Sequence, residues 1–82
     1  MSKTIKIEAV LRDEEGNAQE GVDIYWTEGS TVFLFQSWDH RAAGRDWFEV
    51  QVSFFDGNAL DYFLEHWKSD GYSLVDVTYL SS

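Results

Sequence analysis

The chain has 82 residues, of which 15 are acidic and six are Lys or Arg, so its formal net charge is -9. Its aromatic content of 17% indicates a packed core and excludes a disordered acidic chain. The absence of cysteine excludes disulfides and thiolate nucleophiles, and the negative charge opposes direct binding to nucleic acid or to anionic lipid.

The first half of the chain predicts three strands of an antiparallel meander. Apolar and polar residues alternate over residues 4–12, with the period of two that is typical of a half-buried strand. The polar, glycine-containing segment 13–17 predicts a hairpin turn, and a second strand begins near Ala18. After a further turn at residues 28–30, residues 31–36 are apolar on both faces, which predicts a central strand or one with a covered outer face.

A loop and a fourth strand follow. Residues 38–45 interrupt the alternation and predict a longer loop after the third strand. The fourth strand begins at Asp46, and its residues alternate between two faces. One face bears Phe48, Val50, Val52 and Phe54, and the other bears Trp47, Glu49, Gln51 and Ser53.

One helix and a last strand complete the chain. Asn58 or Asp56 can cap the amino terminus of the helix, and Gly71 suits its end because glycine adopts the left-handed conformation without steric cost. The last strand covers residues 72–80. The predicted apolar stripe of the helix consists of Leu60, Phe63, Leu64 and Trp67.

These elements predict an α+β fold in one compact domain, residues 1–82. The order is β-β-β-β-α-β, with a mostly antiparallel sheet of about five strands and one helix packed on one face. The amino terminus runs directly into the alternating pattern, and no apolar run approaches the roughly 18 residues of a membrane-spanning helix. We therefore expect a soluble, cytoplasmic protein.

The acidic residues fall in two stretches that contain almost no basic residue. Seven carboxylates lie between Asp13 and Asp39 without any Lys or Arg, and seven more follow from Asp46 onward with Lys68 alone. One interpretation is that the acids keep an aromatic-rich protein soluble. The other is that they complement a basic protein partner, which raises the encounter rate and selects against other partners.

Partly exposed aromatic residues are the second candidate for partner binding, because Trp and Tyr commonly act as hot spots. Tyr25 and Trp47 are the preferred candidates, since each occupies the predicted out-facing register of its strand. Alternatively, such residues cover the second sheet face or pack in a homodimer. The predicted partner-binding set consists of Asp13, Glu14, Glu15, Glu20, Asp23, Tyr25, Trp47, Glu49, Asp61 and Glu65.

The sequence contains no specific catalytic, cofactor or metal motif. His40 with Asp39 is the arrangement closest to an acid-base pair, but neighbouring residues of an extended chain point apart. His66 and Asp70 share helical spacing without a further metal ligand, and residues 13–17 depart from the calcium-loop pattern. We therefore expect a protein that is not an enzyme and that holds no cofactor and no metal.

The leading hypothesis is a small inhibitor that masks a basic, nucleic-acid-binding protein, with carboxylates in place of phosphate charges. In size, charge and compactness the whole chain resembles phage-encoded anti-restriction and anti-CRISPR proteins, although no motif carries the resemblance. An immunity protein or antitoxin that neutralises a basic nuclease has the same features. The alternative is a structural or assembly module that self-associates through aromatic surfaces, and an edge-to-edge homodimer stays open because no proline protects the strand edges.

Overall fold

A computed structural model describes residues 3–39 and 47–81, with positions 39, 47–49 and 81 described by their backbone alone. The five strands form one antiparallel sheet in the order β4-β3-β2-β1-β5, and the helix between β4 and β5 packs on one face. The predicted α+β fold is therefore confirmed. In chain order the elements are β1 (Thr4–Arg12), β2 (Ala18–Thr27), β3 (Val32–Asp39), β4 (Trp47–Phe54), α1 (Ala59–His66), a short 3-10 helix (Lys68–Asp70) and β5 (Ser73–Ser81).

The turn between β1 and β2 is built by one carboxylate and one glycine. Asp13 accepts hydrogen bonds from the backbone N–H groups of Glu15 and Asn17, each at 2.9 Å, and from the side chain of Gln19 at 3.0 Å. Gly16 has a φ of 89°, in the left-handed region that a residue with a side chain rarely adopts. The hairpin predicted at residues 13–17 is therefore confirmed.

The core lies between α1 and the face of the sheet formed by alternate residues of β1, β2 and β3. The register pairs Ile7 with Ile24 and Ile24 with Phe35, so apolar side chains from three strands meet on one side. Phe33 is fully buried there, and its ring stacks on Trp26 and on Tyr62 with centroid distances of 5.8 and 4.3 Å. These stacked rings attach the helix to the sheet.

The predicted start of the helix is confirmed, and Gly71 ends the helical segment, although α1 itself stops at His66 and a short 3-10 helix follows it. The predicted helix face is partly wrong. The Asn58 side chain accepts a hydrogen bond from the backbone N–H of Asp61, and Gly71 has a φ of 99°. The most buried helical residues are Ala59, Tyr62 and Phe63, whereas Leu60 and Leu64 are 48% and 46% exposed. The buried face of the helix lies one residue earlier in the sequence than predicted, because the Tyr62 ring stacks on Phe33. The two leucines therefore lie at the margin of the helix.

The third strand is longer than its sequence pattern predicts. It continues through Trp38 to Asp39, where the sequence predicts the start of a loop. The Trp38 indole lies against Gly21 of β2, and a Cβ at position 21 would overlap the indole. The missing side chain of Gly21 thus lets the strand continue. The loop residues 40–46, which include His40, lie outside the described residues.

The position of β5, which the sequence leaves open, is at one edge of the sheet. It pairs with β1 and with no other strand of the described sheet. No helix within residues 3–39 and 47–81 has the length and apolar character needed to cross a membrane.

The revised helix orientation predicts which large-to-small substitution destabilises the fold. Phe63→Ala should lower the free energy of unfolding by about 3–5 kcal/mol, because it removes a buried ring. Leu64→Ala is the matched control, and its cost should be smaller because the side chain is half exposed. Urea unfolding of both variants measures the difference, and an equal or larger loss for Leu64→Ala would contradict this orientation of the helix.

Candidate protein-binding surface

The side of the sheet opposite α1, termed the open face, carries no covering element among the described residues. Its residues are identified by register, because residues that face each other across an antiparallel ladder point to the same side. Tyr25 pairs with Lys6 on β1 and with Leu34 on β3, and Leu34 pairs with Val52 on β4. The open face has an apolar half on β3 and β4 and a charged half on β2, β1 and β5.

The apolar half is a contiguous group of exposed aliphatic and aromatic side chains, termed the apolar patch. Its exposure ranges from 42% for Leu34 to 75% for Phe54. Soluble monomers seldom expose large contiguous apolar surfaces, and those that are exposed commonly mark binding sites. The patch consists of Val32, Leu34, Val50, Val52 and Phe54.

The charged half contains a row of three carboxylates, termed the acid row. Glu8 on β1 lies opposite Asp23 on β2 and opposite Asp76 on β5. Neighbouring strands are about 4.8 Å apart, so three like charges lie side by side across the sheet. Like charges directly opposite each other destabilise a sheet. The row therefore gives the fold no stability of its own.

One lysine partly offsets the acid row. Lys6 Nζ lies 2.8 Å from Glu8 Oε1 and 5.9 Å from the centre of the Tyr25 ring. The hydrogen bond with Glu8 raises the pKa of Lys6, so the lysine stays charged. Three carboxylates and one ammonium leave a charge of about −2 on this half of the face, by simple counting at neutral pH.

The middle of the open face joins its two halves. Asp23 lies opposite Gln36 of β3, and Gln36 lies opposite Val50 of the apolar patch. Burial raises the pKa of the Asp23 carboxyl, Lys6 lowers it, and the neighbouring Glu8 raises it further. Asp23, the carboxylate of the row that lies nearest the apolar patch, is therefore charged at a cost in free energy.

The predicted partner-binding residues do not form one surface. Asp23 and Tyr25 lie on the open face, whereas Glu20 lies on the helix side, where its Oε2 accepts a hydrogen bond from the Tyr72 hydroxyl at 3.1 Å. Three acids occupy the tip of the first hairpin, and two are exposed on the helix. In order, these five are Asp13, Glu14, Glu15, Asp61 and Glu65.

The backbone register of β4 places position 47 on the helix side of the sheet and so gives the predicted out-facing position of Trp47 no support. Positions 47 and 49 pair with positions 39 and 37 of β3, which share the helix side with Phe33 and Phe35. Gln51, on the same side, is exposed, because the core beneath the helix is built from β1 to β3. In β4 the polar residues Gln51 and Ser53 therefore lie on the helix side, and the apolar residues lie on the open face.

Sequence reasoning did not select Glu8, Asp76 or the apolar patch for binding. The strand of Glu8 also contains Lys6 and Arg12, so Glu8 falls outside the two acidic stretches that contain almost no basic residue. Asp76 is far from Glu8 and Asp23 in the sequence, and only the pairing of the last strand with the first brings them together. The sequence shows the alternation of apolar and polar residues in β4, but it does not show which side of the sheet the apolar residues face.

No described group of three or more His, Asp or Glu side chains is arranged to hold a metal ion. Comparison of the chain with protein-family models, curated proteins and solved structures finds no match of any of the three kinds.

The acid row predicts that one carboxylate reduces stability at neutral pH. Because the pKa of Asp23 is higher in the folded protein than its ordinary value, stability is lost as the pH rises through the folded pKa. Asp23→Asn should therefore raise the free energy of unfolding at pH 7, and the gain should shrink as the pH falls toward 4. Glu65→Gln, which makes the same change of charge at an exposed helical position, should have an effect within about 0.5 kcal/mol. Equal gains for the two variants at pH 7 would attribute the effect to net charge rather than to the row.

The Glu20–Tyr72 hydrogen bond predicts a loss of stability at high pH. Burial and the neighbouring Glu20 carboxylate raise the pKa of Tyr72 to about 12, from an ordinary value of 10.0. The contribution of this hydroxyl is fully present below pH 10 and is lost as the pH rises toward 12. Thermal unfolding should therefore depend more steeply on pH in this range for the parent protein than for Tyr72→Phe. If the thermal unfolding of the two proteins depended equally on pH, the partial burial of the Tyr72 hydroxyl beside Glu20 would be contradicted.

Proposed function

We propose that this protein is an inhibitor that binds a basic protein through its open face and masks the nucleic-acid-binding surface of that protein. The observation that carries the proposal is the position of the acid row beside the apolar patch on one exposed face of the sheet, with Gln36 between Asp23 and Val50. Protein interfaces commonly combine an apolar centre with charged groups at its margin. The patch supplies buried area, and the row supplies selectivity for positive charge.

The free-energy cost of the acid row supports a role in binding. Asp23 is half-buried beside Glu8, and its carboxyl would be more stable if it were neutral. Groups that are costly for folding tend to occur where a function requires them. A lysine or arginine of a partner would lie against the row and relieve the repulsion, so the carboxylates would bind best when a basic surface covers them.

The nature of the partner follows from the charge and rigidity of the face. Proteins that bind nucleic acid carry clustered Lys and Arg that neutralise phosphates. Carboxylates on three neighbouring strands present negative charge at fixed spacing, as a phosphate backbone does. An anti-restriction, anti-CRISPR or nuclease immunity protein is an inhibitor of this class, and such a partner would lose nucleic acid when it binds this chain.

The alternative occupant of the open face is a second copy of the chain. The exposed apolar patch favours such an assembly, because its burial would stabilise a dimer. The acid row opposes it, since each copy brings the same local charge and a net charge of -9. Charge therefore favours a basic partner over self-association through this face.

The test begins with affinity capture from a lysate of the encoding organism, followed by binding measurements with each purified candidate. A partner that fits the proposal is basic, binds nucleic acid and releases it when this protein is added. Its affinity should fall markedly between 50 and 500 mM salt, an interval over which the screening length shrinks from about 14 to about 4 Å. Capture of this chain alone, with an affinity that salt leaves unchanged, would support the assembly module instead.

Paired variants locate the binding surface. Glu8→Gln with Asp76→Asn should slow association and reduce its salt dependence, because two carboxylates leave the acid row. Asp61→Asn with Glu65→Gln makes the same change of charge on the helix and should alter both quantities less. Equal effects of the two pairs would show that the overall field, rather than the open face, drives binding.

The apolar patch has a matched control of its own. Val52→Ser should weaken binding by about 1 kcal/mol or more, since the side chain lies between Val50 and Phe54 in the apolar patch. Leu64→Ser, also half exposed but on the helix side, should leave the affinity nearly unchanged. The reverse order of effects would move the interface from the open face to the helix.

A further inference from the structure

We propose that β5 is a self-association edge, along which two copies of the chain join their sheets about a twofold axis at Val77. This inference is independent of the proposed function. It starts from five exposed apolar side chains of β5. Leu74, Val77 and Tyr79 lie on the helix side by their pairing with β1, and Val75 and Leu80 stand at the two register shifts of that pairing.

The strand lacks two of the usual devices that protect an edge, namely proline and lysine. Residues 73–81 include no proline and no lysine, and Asp76 is their one charged residue. Two bulges limit the regular pairing with β1, since Val75 and Leu80 are the extra residues at the two register shifts. The segment Asp76–Tyr79 between the bulges is regular and can accept another strand.

The register of the dimer follows from symmetry. A twofold axis perpendicular to a continuous sheet keeps each face on the same side, so residues that meet must belong to the same face of β5. An axis at Asp76 would bring the two Asp76 carboxylates together, which is unfavourable. An axis at Val77 pairs Val77 with its own copy and Asp76 with Thr78. No acid then lies opposite an acid.

The distribution of positive charge also favours this edge for contact between two acidic chains. All three lysines of the sequence lie near β5: Lys3 Nζ is 5.8 Å from the Tyr79 ring, Lys6 is opposite Thr78, and Lys68 lines the same groove as Leu74. In the proposed register, the acid row of one copy ends beside the Thr78–Lys6 row of the other. The carboxylates of one copy are thus followed across the interface by the positive charge of Lys6 of the other copy.

Single cysteines test the register directly, because the chain has no cysteine of its own. Directly opposed residues of antiparallel strands have Cα atoms about 4.5–5.5 Å apart, within the range that a disulfide can bridge. Under mild oxidation, Val77→Cys should form a covalent dimer. Asp76→Cys and Thr78→Cys should each form no disulfide-linked dimer alone, and an equal mixture of the two should form a mixed disulfide.

A cysteine on the other surface separates this proposal from its alternatives. Val52→Cys, on the apolar patch, should crosslink more slowly than Val77→Cys. Faster crosslinking through Val52→Cys would overturn the β5 dimer and indicate that copies meet at the open face. Equal crosslinking of all four variants would indicate random collision and would also overturn it.

Sedimentation of the unmodified chain supplies a second readout that does not depend on cysteine. The parent protein should show a concentration-dependent dimer that persists in high salt, whereas binding to a basic partner should weaken there. Val77→Lys places two positive charges at the axis and should abolish the dimer, with an unchanged circular dichroism spectrum as evidence of folding. A parent chain that stays monomeric up to millimolar concentration would refute the β5 dimer and leave the proposed inhibitor function untouched.

Discussion

The stacking of Phe33 between Trp26 and Tyr62 is the interaction on which the rest of the structure depends. The ring belongs to β3 and contacts Trp26 of β2 and Tyr62 of α1, and Phe55, in the connection from β4 to α1, packs edge-on at 5.9 Å. This cluster sets the rotation of an eight-residue helix that is too short to be stable alone. Because the aromatic contacts select Tyr62 rather than Leu60 for the core, the leucines remain at the helix margin beside β5.

The short helix also explains why the protein has two distinct surfaces available for contact. One helix fills a core above β1 to β3, so the opposite side of the sheet and the margin at β5 are left without a covering element of the described chain. The open face combines charge with apolar area, whereas the β5 margin combines apolar side chains with lysines. The first suits a basic partner and the second suits another copy, so the two proposals use different parts of one small sheet.

Local patterns in the sequence predict the elements of this fold better than they predict its surfaces. Alternation locates all five strands, and Asn58 and Gly71 mark the helix ends, since these signals lie within a few residues of the features they specify. The extension of β3 through Trp38 requires knowledge of its neighbour Gly21, and the acid row requires the register of three strands. Such information is long-range, so a pattern read along the chain does not contain it.

The pairing of β1 with β5 has a consequence for the order in which the protein forms. The first three hairpin connections join neighbouring segments, but the first of the five strands pairs on one side with the fifth. Until residues 73–81 have been made, β1, which contains Ile5 and Ile7, is itself an open edge. Closure of the sheet therefore waits for these residues, and a nascent chain that lacks them is exposed to aberrant strand pairing along β1.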